Sequence, residues 1–163
     1  MDMDEIDLSI VKLIQANPNL THSEIAKKIK RSQPTVGQRL KKLAKKGIVK
    51  YQAGFNFKEM DMLFANVYVL THDSMGLIDT VKNCPYMLNA FKISGEFNFC
   101  VFLTAFSLKE LELIVNYHFR KNPEVINTSI ELITGIVDDF IMPFNLNLKS
   151  CKCGISHLLT KKE

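Results

Sequence analysis

The sequence predicts an α+β fold with two parts, an N-terminal (winged) helix-turn-helix domain and a C-terminal ferredoxin-like βαββαβ domain. Two observations lead to this prediction. Within the first 50 residues, apolar residues recur at helical spacing in three short segments separated by only a few residues. From about residue 63 onward, β-prone and helical segments follow one another in the order β-α-β-β-α-β, which is the ferredoxin-like split motif.

Two helices are predicted ahead of the third. The first spans residues 4–16 and has acidic residues in its first turn, where the helix dipole favours them. The second begins at a capping box, in which Thr21 and Glu24 each satisfy a free N–H, and ends near Ile29. The apolar core predicted for the three helices consists of Ile6, Ile10, Leu13, Ile25, Ala26, Ile29, Val36, Leu40 and Leu43.

The third helix is the element around which the N-terminal domain is organised. Ser32 is a suitable N-cap, Pro34 falls in the first turn, and Gly47 stands where a left-handed helix end belongs. Its apolar residues recur at i, i+4 and i+7, so they form one narrow face. The remaining surface of this helix is polar at its start and basic after that.

Positive charge is concentrated on the same segment. Residues 1–50 carry 11 Lys and Arg against 5 Asp and Glu, whereas the remainder carries 10 against 12. From Arg31 to Lys50 there are seven basic residues and no acidic ones. This asymmetry is typical of a polyanion-binding domain attached to a neutral domain. An ordinary solvated helix face is the alternative, because most Lys-rich faces bind nothing.

Such a helix suits double-stranded DNA. Amide and hydroxyl groups near its start are placed to reach base edges in the major groove, and the cations behind them are placed to lie over phosphates. The predicted DNA-binding residues are Arg31, Ser32, Gln33, Thr35, Gln38, Arg39, Lys42, Lys45 and Lys46.

The predicted domain boundaries follow changes in composition along the chain. We expect a DNA-binding domain over residues 1–50, a connector strand or hinge over 51–62, a ligand-binding and dimerisation domain over 63–148, and a tail over 149–163. The β-prone residues 48–55 form either a wing or the first strand of the connector. A strand such as 99–103 is apolar on both faces, so we expect the sheet to pack on another subunit and form at least a dimer.

Within the C-terminal domain, strands are predicted at 64–71, 90–94, 98–105 and 125–133, and helices at 77–84 and 108–120. Cys84 and Cys100 are expected in its core, because free cysteine packs as a small hydrophobic residue.

The chain resembles the leucine-responsive regulatory protein (Lrp/AsnC, feast/famine) family over roughly residues 3–148. The resemblance rests on residues 3–7, 23–28, 32–43 and 46–49, and on the turn Gly95-Glu96-Phe97-Asn98. In the family's version of this turn an aspartate occupies the last position, where this chain has Asn98. If that aspartate holds the ammonium group of an amino-acid ligand, a neutral Asn weakens the contact.

The resemblance implies a transcriptional regulator that works as a homodimer or an assembly of dimers, a tetramer or octamer included. It also implies a small effector such as an amino acid, bound near Gly95, Glu96 and Asn98, and the transcription machinery as a further partner.

Other function classes have little support in the sequence. It contains no P-loop, no glycine-rich dinucleotide signature and no Gly-x-Ser-x-Gly elbow, and its four histidines are scattered, so we expect no enzyme. It contains no apolar run of about 18 residues, so we expect no membrane span. The N-terminus is acidic where a signal peptide would be basic, which favours a cytoplasmic location.

The tail provides the alternative hypothesis. Cys151, Cys153 and His157 offer three metal ligands over seven positions, with a fourth from Cys84, Cys100, His72, His118 or another subunit. The two tail thiols could instead be redox-active, or the tail could be flexible with two reduced cysteines. On the first two interpretations the protein is a metal- or redox-responsive sensor in which DNA contact is secondary.

Overall fold

The structure is a computed structural model that describes residues 3–145. The chain divides into two compact units, Met1–Gln52 and Ala53–Glu163, here called the N-terminal unit and the C-terminal unit. None of the helices within the described residues combines the length and the apolar character that crossing a bilayer requires.

The N-terminal unit is a bundle of three helices. They are α1 (Glu5–Ala16), α2 (His22–Lys28) and α3 (Gln33–Lys45). Each begins at a side-chain N-cap, supplied in turn by Asp4, Thr21 and Ser32. The predicted capping box of α2 is present, since Glu24 N donates to Thr21 Oγ1 (3.2 Å) and Thr21 N donates to Glu24 Oε2 (2.7 Å).

The predicted helical core is confirmed. Ile10 and Ile14 of α1, Ile25 of α2, and Val36 and Leu40 of α3 are buried together. Leu43 is buried as well. The surface of α3 away from this cluster is therefore available for other contacts.

The C-terminal unit contains a four-stranded antiparallel sheet and two helices. Its elements are β1 (Phe55–Asn56), β2 (Leu63–Thr71), α4 (Ser74–Asn83), β3 (Met87–Lys92), β4 (Phe99–Ala105), α5 (Leu108–Val115), β5 (Val125–Ile133) and β6 (Ile141–Met142). A short 3-10 helix spans Phe57–Glu59, and a π-helical turn spans Asn116–Arg120. The strand order is β3-β4-β2-β5, and all pairs are antiparallel. This is the ferredoxin-like arrangement that the sequence predicts.

The two faces of the sheet are covered differently. One face of β2 and β4, including Val67, Val101 and Leu103, packs with residues of α4 and α5 in the largest buried cluster. On the opposite face, Phe64 and Phe102 pack with Phe57 and with side chains from residues 133–144. The short strands β1 and β6 pair with each other beside this second cluster. Cys84 and Cys100 are both buried, as predicted.

Several element boundaries differ from those predicted. Helix α4 begins at Ser74 rather than at residue 77, because Asp73 Oδ1 accepts hydrogen bonds from Met75 N and Gly76 N. Strand β3 begins at Met87 rather than at residue 90. Residues 49–54 form no strand, so the β-prone stretch contributes only β1, whose pairing partners in β6 lie 85 and 87 positions further along the chain.

His118 lies in the π-helical turn that replaces the predicted end of α5. Its side chain is 8% exposed, and its Nε2 has no hydrogen-bond partner within the described residues. Burial lowers the pKa of His118 to about 4. The imidazole of His118 is therefore neutral in the folded chain at neutral pH.

We expect protonation of His118 to destabilise the fold in mildly acidic solution. The pKa of His118 is lower in the folded chain than the value of about 6.5 in the unfolded chain. The free energy of unfolding is therefore undiminished by this group above pH 6.5, and it decreases as the pH falls from 6.5 towards 4. The loss approaches about 3 kcal/mol at the acidic end. Urea unfolding of the native protein and of His118→Leu at several pH values measures it. All other ionisable groups are the same in both proteins, so equal pH dependence would rule out this role of His118.

Candidate functional site

The turn between α2 and α3 fixes where α3 begins. Lys30 adopts a left-handed backbone conformation (φ 53°), and Arg31 N donates to Ala26 O (3.0 Å), which ends α2. Ser32 then caps α3 by accepting from Thr35 N (3.3 Å). Two helices are thus joined by four residues, as in a helix-turn-helix unit.

Most of the predicted DNA-binding side chains lie on the surface of the N-terminal unit. The exposed ones are Arg31, Ser32, Gln33, Gln38, Lys42, Lys45 and Lys46, whereas Thr35 and Arg39 are half-buried. The hydroxyls of Ser32 and Thr35 lie 2.7 Å apart and share a hydrogen bond. The start of α3 therefore presents amide and hydroxyl groups, and its later turns present lysines.

Arg39 has partners that the sequence analysis missed. Its Nη1 donates to both carboxylate oxygens of Asp4 (2.7 and 2.6 Å) and to Oδ1 of Asp7 (2.9 Å). The hydrogen bond with Arg39 is the main cause that lowers the pKa of Asp4, and the same bond is the main cause that raises the pKa of Arg39. The two acidic residues were visible in the sequence as favourable first-turn charges, but no local pattern links them to α3.

The candidate effector residues form the turn between β3 and β4. Gly95 has φ 141°, a conformation that favours glycine, and Gly95 and Glu96 are both exposed. Asn98 is half-buried and bonds to Thr71 at the end of β2. Its Nδ2 donates to Thr71 O (2.7 Å), and its Oδ1 accepts from Thr71 N (3.0 Å).

Thr71 connects this turn to two further segments. Its Oγ1 donates to Glu124 O (2.9 Å), just before β5, and accepts from Asp73 N (3.1 Å), the N-cap of α4. The side chain of Asn98 therefore belongs to a hydrogen-bonded network that joins the end of β2, the start of α4 and the start of β5. We call Asn98 and Thr71 the Asn98–Thr71 pair.

The predicted metal ligands Cys151, Cys153 and His157 lie outside the described residues. Within residues 3–145, no three side chains of His, Cys, Asp or Glu come together in a group that could hold a metal ion. Cys84, named as a further ligand, is buried, and burial raises the pKa of its thiol to about 11.

Comparison with known proteins places these features in a class. Residues 3–50 match the family described as winged helix-turn-helix DNA-binding. The chain is 26% identical to a helix-turn-helix-type transcriptional regulator of Pyrococcus abyssi over 139 residues, which are 82% of this chain and 94% of that protein. It is 28% identical to the regulator LrpB of Bacillus subtilis over 124 residues, 71% of this chain and 80% of that protein. The first 50 residues thus match a DNA-binding family, and both of these relatives in sequence are named as helix-turn-helix-type transcriptional regulators.

Solved structures give the same result for the fold. LrpC of B. subtilis superposes with a TM-score of 0.72 at 24% identity, covering 85% of this chain and 99% of that one. AsnC of Escherichia coli superposes with a TM-score of 0.71 at 14% identity, covering 86% and 97%. Taken together with the relatives in sequence, these matches agree with the predicted resemblance. The chain is similar over most of its length to regulators named for the Lrp/AsnC family, and it shares the fold of LrpC and AsnC.

We expect Asn98→Asp to destabilise the C-terminal unit by about 1–3 kcal/mol at pH 7, because a carboxylate cannot donate to Thr71 O. The carboxyl is neutral and able to donate only when protonated, so its pKa in the folded chain is raised. The deficit should therefore shrink as the pH falls through that pKa towards about 4.

Urea unfolding at pH 7 and pH 4 measures the deficit of Asn98→Asp. Asn89→Asp is the matched control, since Asn89 Oδ1 accepts from Ala90 N (2.8 Å) and a carboxylate oxygen fills that role equally well. A deficit no larger than that of the control would show that the Asn98–Thr71 pair contributes nothing specific.

Proposed function

We propose that this protein is a sequence-specific DNA-binding transcriptional regulator in which α3 is the recognition helix. The observation that carries the proposal is the division of α3 into two surfaces. Val36, Leu40 and Leu43 are buried in the N-terminal unit. Thr35, Gly37 and Arg39 are half-buried, and the rest of the helix is exposed, with amide groups first and lysines after them. An α-helix of this kind fits the major groove of DNA, with its N-terminal residues at base edges.

The roles of individual side chains follow from their position on α3. Gln33 and Gln38 are exposed amides that both donate and accept, which is what bidentate recognition of adenine requires. Lys42 and Lys45 lie one and two helical turns beyond Gln38 and contact DNA phosphates, for which a flexible ammonium group is suited. Sequence preference therefore resides mainly in the first half of α3, and the strength of binding resides mainly in the second half.

The second part of the proposal is that two chains associate through the sheet face that α4 and α5 leave uncovered. Phe91, Cys100 and Tyr68 are neighbours across three strands on this face. Phe91 is 52% exposed, and Tyr68 is half-buried. The part of this face that holds Phe64 and Phe102 is covered within the chain, whereas the part at Phe91 is open. An exposed aromatic patch beside a buried sheet is typical of a surface that packs on another subunit.

A small effector is the third part of the proposal. A regulator of Neisseria meningitidis, solved as a complex with L-Met, superposes on this chain with a TM-score of 0.73 at 20% identity, covering 89% of this chain and 97% of that one. By analogy, we place an effector near the exposed Gly95 and Glu96, on a turn held by Asn98. A ligand of this kind changes DNA binding only if it binds the two assembly states with different affinity.

Selection of bound sequences from random duplexes tests the DNA-binding proposal, and repeating it with a panel of amino acids tests the effector. In the selected duplex, Lys42→Gln should reduce the slope of log K against log salt by about one unit and weaken all sequences alike. Gln38→Ala should leave that slope unchanged and alter which base is preferred at one position. A flat salt dependence of the native protein, or no enriched sequence, would refute the proposal.

The proposed dimer is tested by substituting one exposed aromatic residue. Phe91→Lys places a charge on the uncovered sheet face, so we expect sedimentation equilibrium to show a mostly monomeric protein at micromolar concentration. Met75→Lys is the matched control, because Met75 is 65% exposed and belongs to α4, which packs on the opposite face of the sheet. If both variants sediment like the native protein, the subunits associate elsewhere or not at all.

A further inference from the structure

We propose that Arg39 is a positioning residue, which fixes the angle of α3 by bridging to Asp7 of α1 and to Asp4, the N-cap of α1, and contributes no phosphate contact. The inference rests on the proposed DNA-binding function, because it concerns how the recognition helix is held. It assigns to Arg39 a different role from that of the neighbouring lysines, although all of them are cations on the same helix.

The geometry of the bridge places it between two helices at a partly buried point. One nitrogen, Arg39 Nη1, lies within 2.6 to 2.9 Å of three carboxylate oxygens from two residues. The side chain of Arg39 is 28% exposed and that of Asp7 is 10% exposed. These contacts span 35 and 32 positions of sequence, so they join the beginning of α1 to the middle of α3.

The carboxylates are themselves fixed to the backbone of α1. Asp4 Oδ1 accepts from Ile6 N (3.0 Å) and Asp7 N (2.9 Å), which makes Asp4 the N-cap of this helix. Asp7 Oδ2 accepts in turn from Asp4 N at 3.4 Å and completes the capping box. Arg39 is therefore bonded to the rigid first turn of α1, and a rotation of α3 about its own axis would break these bonds.

Moving Arg39 to a DNA phosphate would have an unfavourable consequence. The carboxylate of Asp7 would remain buried without its cation, and a buried unpaired charge is strongly destabilising. The bridge also carries two negative charges against one positive charge, so its surroundings do not attract a phosphate. By contrast, a base-edge hydrogen bond requires a donor and an acceptor placed to within tenths of an ångström, and the bridge supplies this placement.

The first experiment compares Arg39→Gln with Lys42→Gln on the selected duplex and on an unrelated duplex, each over a range of salt. For Arg39→Gln we expect affinity for the selected duplex to fall about tenfold, as for a misplaced base contact, with affinity for the unrelated duplex nearly unchanged and the salt slope the same. For Lys42→Gln we expect both affinities to fall together and the slope to drop by about one unit. A partly unfolded protein would lose affinity for both duplexes equally, so the ratio separates positioning from simple instability.

The second experiment removes the carboxylates and keeps Arg39. If Arg39 positions α3, Asp7→Asn and Asp4→Asn should reduce the preference for the selected duplex, and Asn at position 4 remains a good N-cap. If the carboxylates instead compete with DNA for Arg39, both variants should bind more tightly. Glu5→Gln is the control, because it removes one neighbouring negative charge and Glu5 is exposed.

The two proposals fail in different ways. Native protein that shows no salt-dependent binding to any duplex overturns the proposed function. If the native protein does bind DNA, two results would overturn the role of Arg39 alone. One is a loss of about one unit of salt slope in Arg39→Gln, and the other is tighter binding by Asp7→Asn than by Glu5→Gln.

Discussion

The burial of three apolar side chains holds α3 in place, and it determines which side chains of this helix lie on the surface of the N-terminal unit. Val36, Leu40 and Leu43 are at most 7% exposed. Full burial of such a side chain contributes about 1.5–3 kcal/mol, whereas an isolated helix of this length is marginal in water. Because the apolar face is so narrow, most of the circumference of α3 stays free for polar contacts. A wider apolar face would hold the helix more firmly but would leave fewer positions from which to contact DNA.

The C-terminal unit meets a different constraint, since β4 is buried along its whole length. Thr71, at the end of the neighbouring strand β2, is buried as well, so its backbone N–H and C=O must find partners in the protein. The Asn98–Thr71 pair does this at the point where β4 begins, and the Thr71 hydroxyl extends the network to Glu124 and Asp73. The turn that precedes β4 is therefore ordered by hydrogen bonds as well as by apolar packing.

The features that the sequence predicted correctly are those with local causes. The capping box at Thr21, the left-handed Gly47 (φ 71°) and the full extent of β5 all follow from residues within a few positions of one another. The start of α4 was predicted too late because apolar periodicity begins at Leu77, although the Asp73 cap was present in the sequence. The partners of Arg39 and the pairing of β1 with β6 are separated by more than 30 residues, and no local pattern records which distant group comes within hydrogen-bonding distance.

The same distinction applies to the DNA interface proposed for α3. Counting charges treats all seven basic residues from Arg31 to Lys50 alike. A basic side chain can bind a polyanion only if it is not already paired with a buried carboxylate, because leaving that carboxylate unpaired would destabilise the fold. Under the role proposed for Arg39, its contact with Asp7 keeps it from a polyanion, whereas exposed Lys42 forms no ion pair with another of residues 3–145. Whether a basic side chain of α3 holds the helix in place or contacts phosphate therefore depends on which carboxylates lie beside it, and only the folded chain shows this.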